Sequence, residues 1–318
     1  MVRQTRKILL VLPWSEPDQW VFKNHFQSFD VDVCSVPELH ANRTVKGILQ
    51  CTLRIAGRVK SYDCIVSWEA TAAIATAFAR YVGRCQTEWV ALGIIPKSTN
   101  TNLTRTLTTS LSKASVVTCF SNHDIATLRE TTGVAATTVT PTVWKQIDVP
   151  IQEKSMDWLA VGASNRDDKT LARAAEVSKI LVSRYARHVT HASDALKWHI
   201  DANQQVVENA FLSHRYHLAV LQSSKYASGL SIAVRAGFAR QLIIASDTPH
   251  VRELIRDGEN GLLVKLGDSE HLAEMIRMVQ NGEVNAQKLA GALREDCQER
   301  NSYDVLRHHI EAMVHRCF

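Results

Sequence analysis

The sequence predicts an α/β protein built from two facing, doubly wound (Rossmann-like) domains. Three observations carry that expectation. Short apolar, β-branched runs alternate with helical patterns along the whole chain, as in parallel sheets with crossover helices. The 318 residues exceed the usual length of one domain and suffice for two cores of roughly 150 residues each. The alternation lapses once, in a polar, proline-bearing stretch at 141–155, and then resumes. The expected division is 1–148 and 149–318, with the last helix able to pack back on the first domain.

In the first half, strands are expected at 7–12, 31–35, 63–66, 88–92, 116–119 and 136–139. Residues 70–82 form a strong helical pattern, and Leu103, Leu107 and Leu111 recur at the i, i+4 spacing of one helix face. Ser121 stands where an N-cap belongs, ahead of a helix carrying Ile125 and Leu128. In the second half, strands are expected at 158–161, 187–190, 218–221, 242–245 and 262–264. A last amphipathic helix, 304–317, places Val305, Ile310, Met313 and Val314 on one side.

Hydrophobic residues make up 45% and charged residues 22% of the chain, the balance of a globular protein rather than a disordered one. The formal charge of +5 is spread thinly, which gives no footprint for nucleic acid but leaves peripheral contact with an anionic membrane surface open. No apolar run reaches the roughly 18 to 20 residues of a spanning helix. Seven cysteines without a C-x-x-C pair match neither a disulfide framework nor a zinc site, and a cytoplasmic location is expected. The histidines lack metal-ligand spacing: His308 and His309 are adjacent, and His191, His199, His214 and His217 belong to different elements or faces. No metal is therefore expected. No G-x-G-x-x-G or Walker-type loop follows a strand, which argues against a dinucleotide oxidoreductase or an ATPase.

Two segments hold residues suited to binding phosphate. In HLAVLQSSKYASGLSIAVRAGF, from His217, the residues Ser228, Gly229, Leu230 and Ser231 lead into a helix expected to begin near Ile232. A helix start offers unpaired N–H groups and a positive partial charge, and Gly and Ser admit a phosphate closely. From the loop alone, Ser231 serves equally well as a helix cap. In WLAVGASNRDDKTLARAA, from Trp158, Arg166 and Lys169 lie in a turn between strand and helix. Guanidinium grips phosphate bidentately and Lys adds a point charge. The plainer reading is a solvated loop with Asp167 or Asp168 capping the helix.

Tyr226, Ala236, the run Ile243, Ile244, Ala245, Ser246 and Asp247, and then Glu253, Leu254, Ile255, Asp257, Gly258, Asn260, Gly261 and Leu262 follow one family pattern without a gap. The segment resembles the C-terminal domain of retaining glycosyltransferases of family four, which have the two-domain GT-B fold. The glycine turn after Trp158 is similar to that family's opening turn, where basic residues bind the donor diphosphate. The resemblance implies a donor site of Gly162, Ser164, Asn165, Tyr226, Ala227, Ser228, Gly229, Leu230, Ser231 and Arg235, with Arg166 and Lys169 stabilising the leaving diphosphate. The family's Glu-x7-Glu pair is replaced here by Ala227 and Arg235, neither of which accepts a hydroxyl proton as a carboxylate does.

On the acceptor side the resemblance is one of topology. Trp14 and Glu16 follow the first strand, Trp68 and Glu69 the third, and His123 the fifth, where α/β folds bind ligands. Glu69 is read equally as a favourable charge at a helix start, and His123 as part of an N-cap cluster. The implied function is metal-independent, retaining transfer of a sugar from a nucleoside diphosphate donor, with no cofactor, to an acceptor that is a glycan, lipid, protein or small molecule. The alternative is a catalytically silent homologue that binds a nucleotide, glycan or protein partner.

Overall fold

The computed structural model describes residues 5–12, 26, 28–36, 45–95, 101–143, 154–224 and 228–318. Among the described residues, twelve strands form two parallel six-stranded sheets. The chain divides into two units, Met1–Pro141 with Asp304–Phe318, and Thr142–Tyr303.

In the first unit β1 (Arg6–Leu12) and β2 (Phe29–Ser35) precede α1 (Val45–Ala56), and β3 (Cys64–Trp68) leads directly into α2 (Glu69–Val82). Then follow β4 (Glu88–Leu92), α3 (Thr101–Leu111), β5 (Val116–Cys119), α4 (Asn122–Thr132) and β6 (Thr138–Val139). The sheet order is β2-β1-β3-β4-β5-β6. Central strands of a parallel sheet are covered on both faces and so read as unbroken apolar runs; Ile8, Leu9, Leu10, Val11 and Leu12 are all buried. Leu9 and Val11 join Ile65, Trp89 and helices α1 to α3 in one core. Ile8, Leu10, Val31 and Val66 instead line a small cavity together with Ile310 and Val314 of the last helix. Ser121 caps α4 as the sequence predicts, its Oγ accepting from the Asp124 N–H at 2.9 Å, and Gly133 ends the helix in the left-handed region at φ 70°.

The second unit runs β7 (Ser155–Val161), α5 (Asp168–Val177), β8 (Val182–Ala186), β9 (Leu196–Ile200), α6 (Gln204–Ser213), β10 (His214–Ala219), α7 (Leu230–Phe238) and β11 (Leu242–Ser246). It continues with α8 (Pro249–Arg252), β12 (Leu262–Val264), α9 (Ser269–Gln280) and α10 (Ala286–Arg300). Sheet order is β12-β11-β10-β7-β8-β9, the doubly wound order of nucleotide-binding folds. Leu171, Ala175, Leu272 and Ile276 cover one face, and Phe211, Val234, Phe238 and Leu293 the other. The last helix, α11 (Tyr303–His315), begins where this unit ends.

Two expectations are corrected. Residues 187–190 form no strand: β8 ends at Ala186 and β9 starts at Leu196, and 187–190, exposed throughout with Val189 its one apolar residue, lie in the bend that joins them. In α11 it is Leu306, fully buried, that faces inward with Ile310, Met313 and Val314, while Val305 is half-buried.

Helix α7 lies so close to α10 that a Cβ on Gly237 would stand 2.5 Å from Cys297 Sγ and 3.1 Å from Leu293 Cγ. Gly237→Val is therefore expected to destabilise the protein by about 1–3 kcal/mol through overpacking, read as a lowered urea midpoint.

Candidate functional site

Open parallel sheets bind ligands beyond the carboxyl ends of their strands, where the strand order reverses. In the second unit the reversal falls between β7 and β10. Both segments singled out in the sequence leave these two strands, and backbone pairing joins them. The Asp167 N–H donates to Val220 O at 3.1 Å and the Gln222 N–H to Asn165 O at 3.3 Å, while Arg166 forms an antiparallel bridge with Leu221. Asn165 Nδ2 donates to Ser223 O at 2.9 Å, and Ser223 Oγ donates to Asn165 Oδ1 at 3.1 Å. Asn165 itself is left-handed, at φ 54°, a conformation that Asn tolerates better than most residues.

Gly162 makes the turn possible. At φ 133° it has no side chain to collide with Arg166, whose Nε and Nη2 would each lie 2.5 Å from a Cβ there. Arg166 thus folds back over the turn, donating through Nε to Val161 O at 3.1 Å and through Nη1 to Ser164 O at 3.0 Å. Its Nη2 has no partner among the described residues. Burial pushes the guanidinium down to about 10, and the like charge of Arg184 adds to this, so it is still a cation at neutral pH. Ser164 and Lys169 are exposed beside it.

Across the reversal point, α7 begins at Leu230 rather than near Ile232, and its N-cap is Gly229 at φ 93°, which supplies no side-chain cap. A Cβ at 229 would come within 3.0 Å of Val251 Cγ2 and 3.1 Å of Leu221 Cδ1. Ser231 is not the cap; it sits inside the first turn, exposed. The opening amides of α7 are therefore left without the side-chain acceptor that Asp167 supplies to α5, where its Oδ1 accepts from the Thr170 N–H at 3.0 Å. Such a start suits an anion. Ser228 is half-buried, and Leu230 contributes its side chain to the core.

Arg235 lies further along α7, its guanidinium 4.5 Å from the ring centroid of Phe211 on α6. Burial pushes it down to about 10, with Glu208 opposing. The sequence reading missed His217, which β10 buries completely. Its ring stacks on Phe211 at 5.0 Å, and neither ring nitrogen meets a partner at full hydrogen-bond geometry among the described residues, the Gln241 amide being the polar group beside it. Burial, then the cation of Arg166 and, more weakly, that of Arg235, push it down to about 3, with Gln241 pulling the other way. Polar character in the middle of a central strand was the available signal. Asp168, the first residue of α5, was considered only as a cap; it forms a buried ion pair with Arg184 of β8, Nε to Oδ1 at 2.6 Å, with side-chain exposures of 3% and 2%.

In the first unit the strand order reverses between β1 and β3. Trp14 and Glu16 after β1 lie outside the described residues, as do Tyr226 and Ala227 after β10. Trp68 is buried, tilted against Phe120 at 6.2 Å between centroids, so it underlies this edge rather than lining it. Glu69 is half-buried in the left-handed region at φ 66°, a conformation that costs a non-glycine residue about 1–3 kcal/mol. His123 is exposed on the first turn of α4. No helix among the described residues is long and apolar enough to cross a membrane.

No protein-family model matches the sequence, and a comparison with curated proteins finds no match. Solved structures do match over nearly the whole chain. The Anabaena protein HepE in complex with UDP-glucose is 13% identical with a TM-score of 0.70, covering 97% of this chain and 99% of its own. A glycosyltransferase from Rickettsia africae is 12% identical with a TM-score of 0.71, over 98% and 99%. Sucrose-phosphate synthase from Thermosynechococcus elongatus is 13% identical with a TM-score of 0.69, over 98% of each chain. The fold is that of the GT-B glycosyltransferases.

Removing one partner of a buried ion pair strands the other charge, so Asp168→Ala is expected to cost about 3–5 kcal/mol, against about 1 kcal/mol for losing the Asp167 cap; urea titrations of the two variants check the contrast. His217 gives a pH signature. Its folded value lies below the ordinary 6.5, so the unfolded chain binds a proton that the folded chain refuses. The stability it contributes is complete above pH 6.5 and is lost as pH falls toward 3, by up to about 1.4 kcal/mol per pH unit. His217→Phe, which keeps the ring on Phe211, is expected to flatten the decline in unfolding free energy between neutral and mildly acidic pH.

Proposed function

We propose that this chain is a retaining glycosyltransferase of the family-four type, which moves a sugar from a nucleoside diphosphate donor without a metal or other cofactor. The observation that carries the reading is the joining of two phosphate-suited features at the β7/β10 reversal point: the Arg166 turn over Gly162 and the uncapped start of α7 at Gly229. HepE, of the same fold, is seen with UDP and with UDP-glucose.

The roles follow from charge. Departure of the diphosphate builds negative charge on its oxygens. Arg166, through Nη2, Lys169 as a point charge and the first amides of α7 would receive that charge in place, without reorganisation. Gly162, Ser164, Asn165, Ser228 and Ser231 would shape the cradle, to which the sequence resemblance adds Tyr226 and Ala227. Metal independence is part of the proposal: with a guanidinium, an ammonium and a helix start assembled, the leaving group needs no cation. The acceptor would bind at the first unit's own reversal point, near Glu69 and His123, and the sequence resemblance adds Trp14 and Glu16 to that side.

A second reading is favoured by Arg235. Its guanidinium rests on Phe211, which suits a structural residue as well as a ribose ligand, and it stands where the family carries a glutamate. A catalytically silent homologue would keep the cradle and lose the ribose contact.

Calorimetric titration with UDP and turnover of UDP-glucose test both. Arg166→Ala is expected to weaken UDP binding by about 1.5–3 kcal/mol, the worth of a hydrogen bond to a charged group; unchanged affinity removes Arg166 from the site. UDP binding without turnover across a panel of donors and acceptors selects the silent homologue. Turnover abolished by chelator and restored by magnesium or manganese overturns metal independence. Arg235→Ala and Arg235→Glu are expected to weaken UDP binding if Arg235 is a ligand, and to leave it equal to the parent if it is structural.

A further inference from the structure

Helices α1 and α2 lie side by side in the first unit, with Thr52 Oγ1 3.3 Å from Ala75 O. Their carboxyl ends adjoin as well, since a Cβ on Gly83 would stand 2.9 Å from Val59 Cγ2 and 3.3 Å from Ala56 O. Cys51, Ile55, Ala72 and Ala79 turn one side of the pair into the core. The outward row of α1 is Lys46, Leu49 and Leu53, at the three- and four-residue steps of one helix face. In α2 the matching row is Phe78, Tyr81 and Val82. The five apolar residues of these rows are 46% to 76% exposed. Single apolar residues scattered over a surface need no explanation, but five on two adjoining helices form a patch.

The charge around the patch has one sign. Residues 45–62 and 70–87 contain Lys46, Arg54, Arg58, Lys60, Arg80 and Arg84, and no aspartate or glutamate. This local excess is larger than the +5 of the whole chain. Lys46, Arg54, Lys60 and Arg84 are exposed. Arg58 meets Asp32 of β2 at 3.6 Å, and Arg80 donates to Lys113 O at 3.0 Å.

We propose that the outer face of α1 and α2 docks on the surface of an anionic lipid bilayer. Leu49, Leu53, Phe78 and Val82 enter the boundary between headgroups and acyl chains, while the cations stay level with the lipid phosphates and are drawn to them. Tyr81 suits that boundary, with an apolar ring and a polar tip. A second copy of this chain fits the face less well. A two-fold interface sets a patch against itself, so cation would face cation with no carboxylate on either pair of helices to answer it. Docking uses the first unit alone and asks nothing of the donor site in the second.

The test sediments the full chain with vesicles of phosphatidylcholine alone and of phosphatidylcholine mixed with phosphatidylglycerol, in low and in high salt. The expected result is binding to the anionic vesicles that is about tenfold or more weaker on the neutral ones and is released by high salt, which screens surface charge. Leu53→Ser with Phe78→Ser, and separately Lys46→Glu with Arg84→Glu, are each expected to weaken that binding by about tenfold or more. Both pairs are expected to keep the parent's thermal unfolding, because all four side chains are exposed. A parent that ignores anionic vesicles, binds both kinds equally, or binds as well after either pair of substitutions overturns the proposal. So does a dimer in sedimentation velocity that the Leu53 and Phe78 substitutions dissolve, which marks the face as an interface between copies.

Discussion

Much of the second unit's geometry depends on one ion pair that water does not reach. Arg184 reaches Asp168 with Nε at 2.6 Å and Nη2 at 3.2 Å, the Thr190 hydroxyl donates to the same carboxylate, and Arg184 Nη1 donates to Tyr185 O. The Trp198 ring lies 5.4 Å from the guanidinium. Buried charges are tolerated only when their partners and remaining donors are satisfied together, so these contacts form as a set. The set fixes the first turn of α5 to β8 and the bend that follows it. Arg166 stands two residues before Asp168, and its turn inherits that fixity. A loop that is polar in sequence is in this way held from beneath by the least polar of surroundings.

The site rests on the same economy of space. Gly162 is empty so that Arg166 can lie over it, and Gly229 is empty because Val251 and Leu221 fill the volume a side chain would need. Residues 165–167 then pair with 220–222, which binds the ends of two strands into one polar edge. Preorganisation of this kind lets fixed donors act on charge without moving first.

The architecture was legible where residues are apolar on both sides. Strands β4, β5 and β12 fall on the expected residues because parallel strands buried on both faces leave continuous runs. The β8–β9 region was not legible. Its inner strand carries Arg184, which any hydropathy reading sends to the surface, and its edge strand Leu196–Ile200 is half-polar, so the signal drifted to 187–190. In the site, the turn at Gly162 and the loop at Gly229 were visible as glycine and small-residue patterns. That Gly229 rather than Ser231 would stand at the cap was not, since Ser is the commoner capping residue and only packing against Val251 and Leu221 demands glycine. His217 escaped because a lone histidine in a strand carries no spacing signal; its weight comes from Arg166 and Arg235, neither adjacent in sequence.

Placing α11 with the first unit has a consequence for biosynthesis. Ile310 and Val314 line one small cavity with Ile8, Leu10, Val31 and Val66, yet the ribosome makes these partners before and after the whole of Thr142–Tyr303. The first sheet must wait, one apolar face uncovered, while all of Thr142–Tyr303 is translated. The second unit, continuous in sequence, can close on itself during that interval, as domains do during synthesis. The unit that emerges first is thus the last to be finished, and the span of its exposure to chaperones or to aggregation is set by how quickly the other is translated.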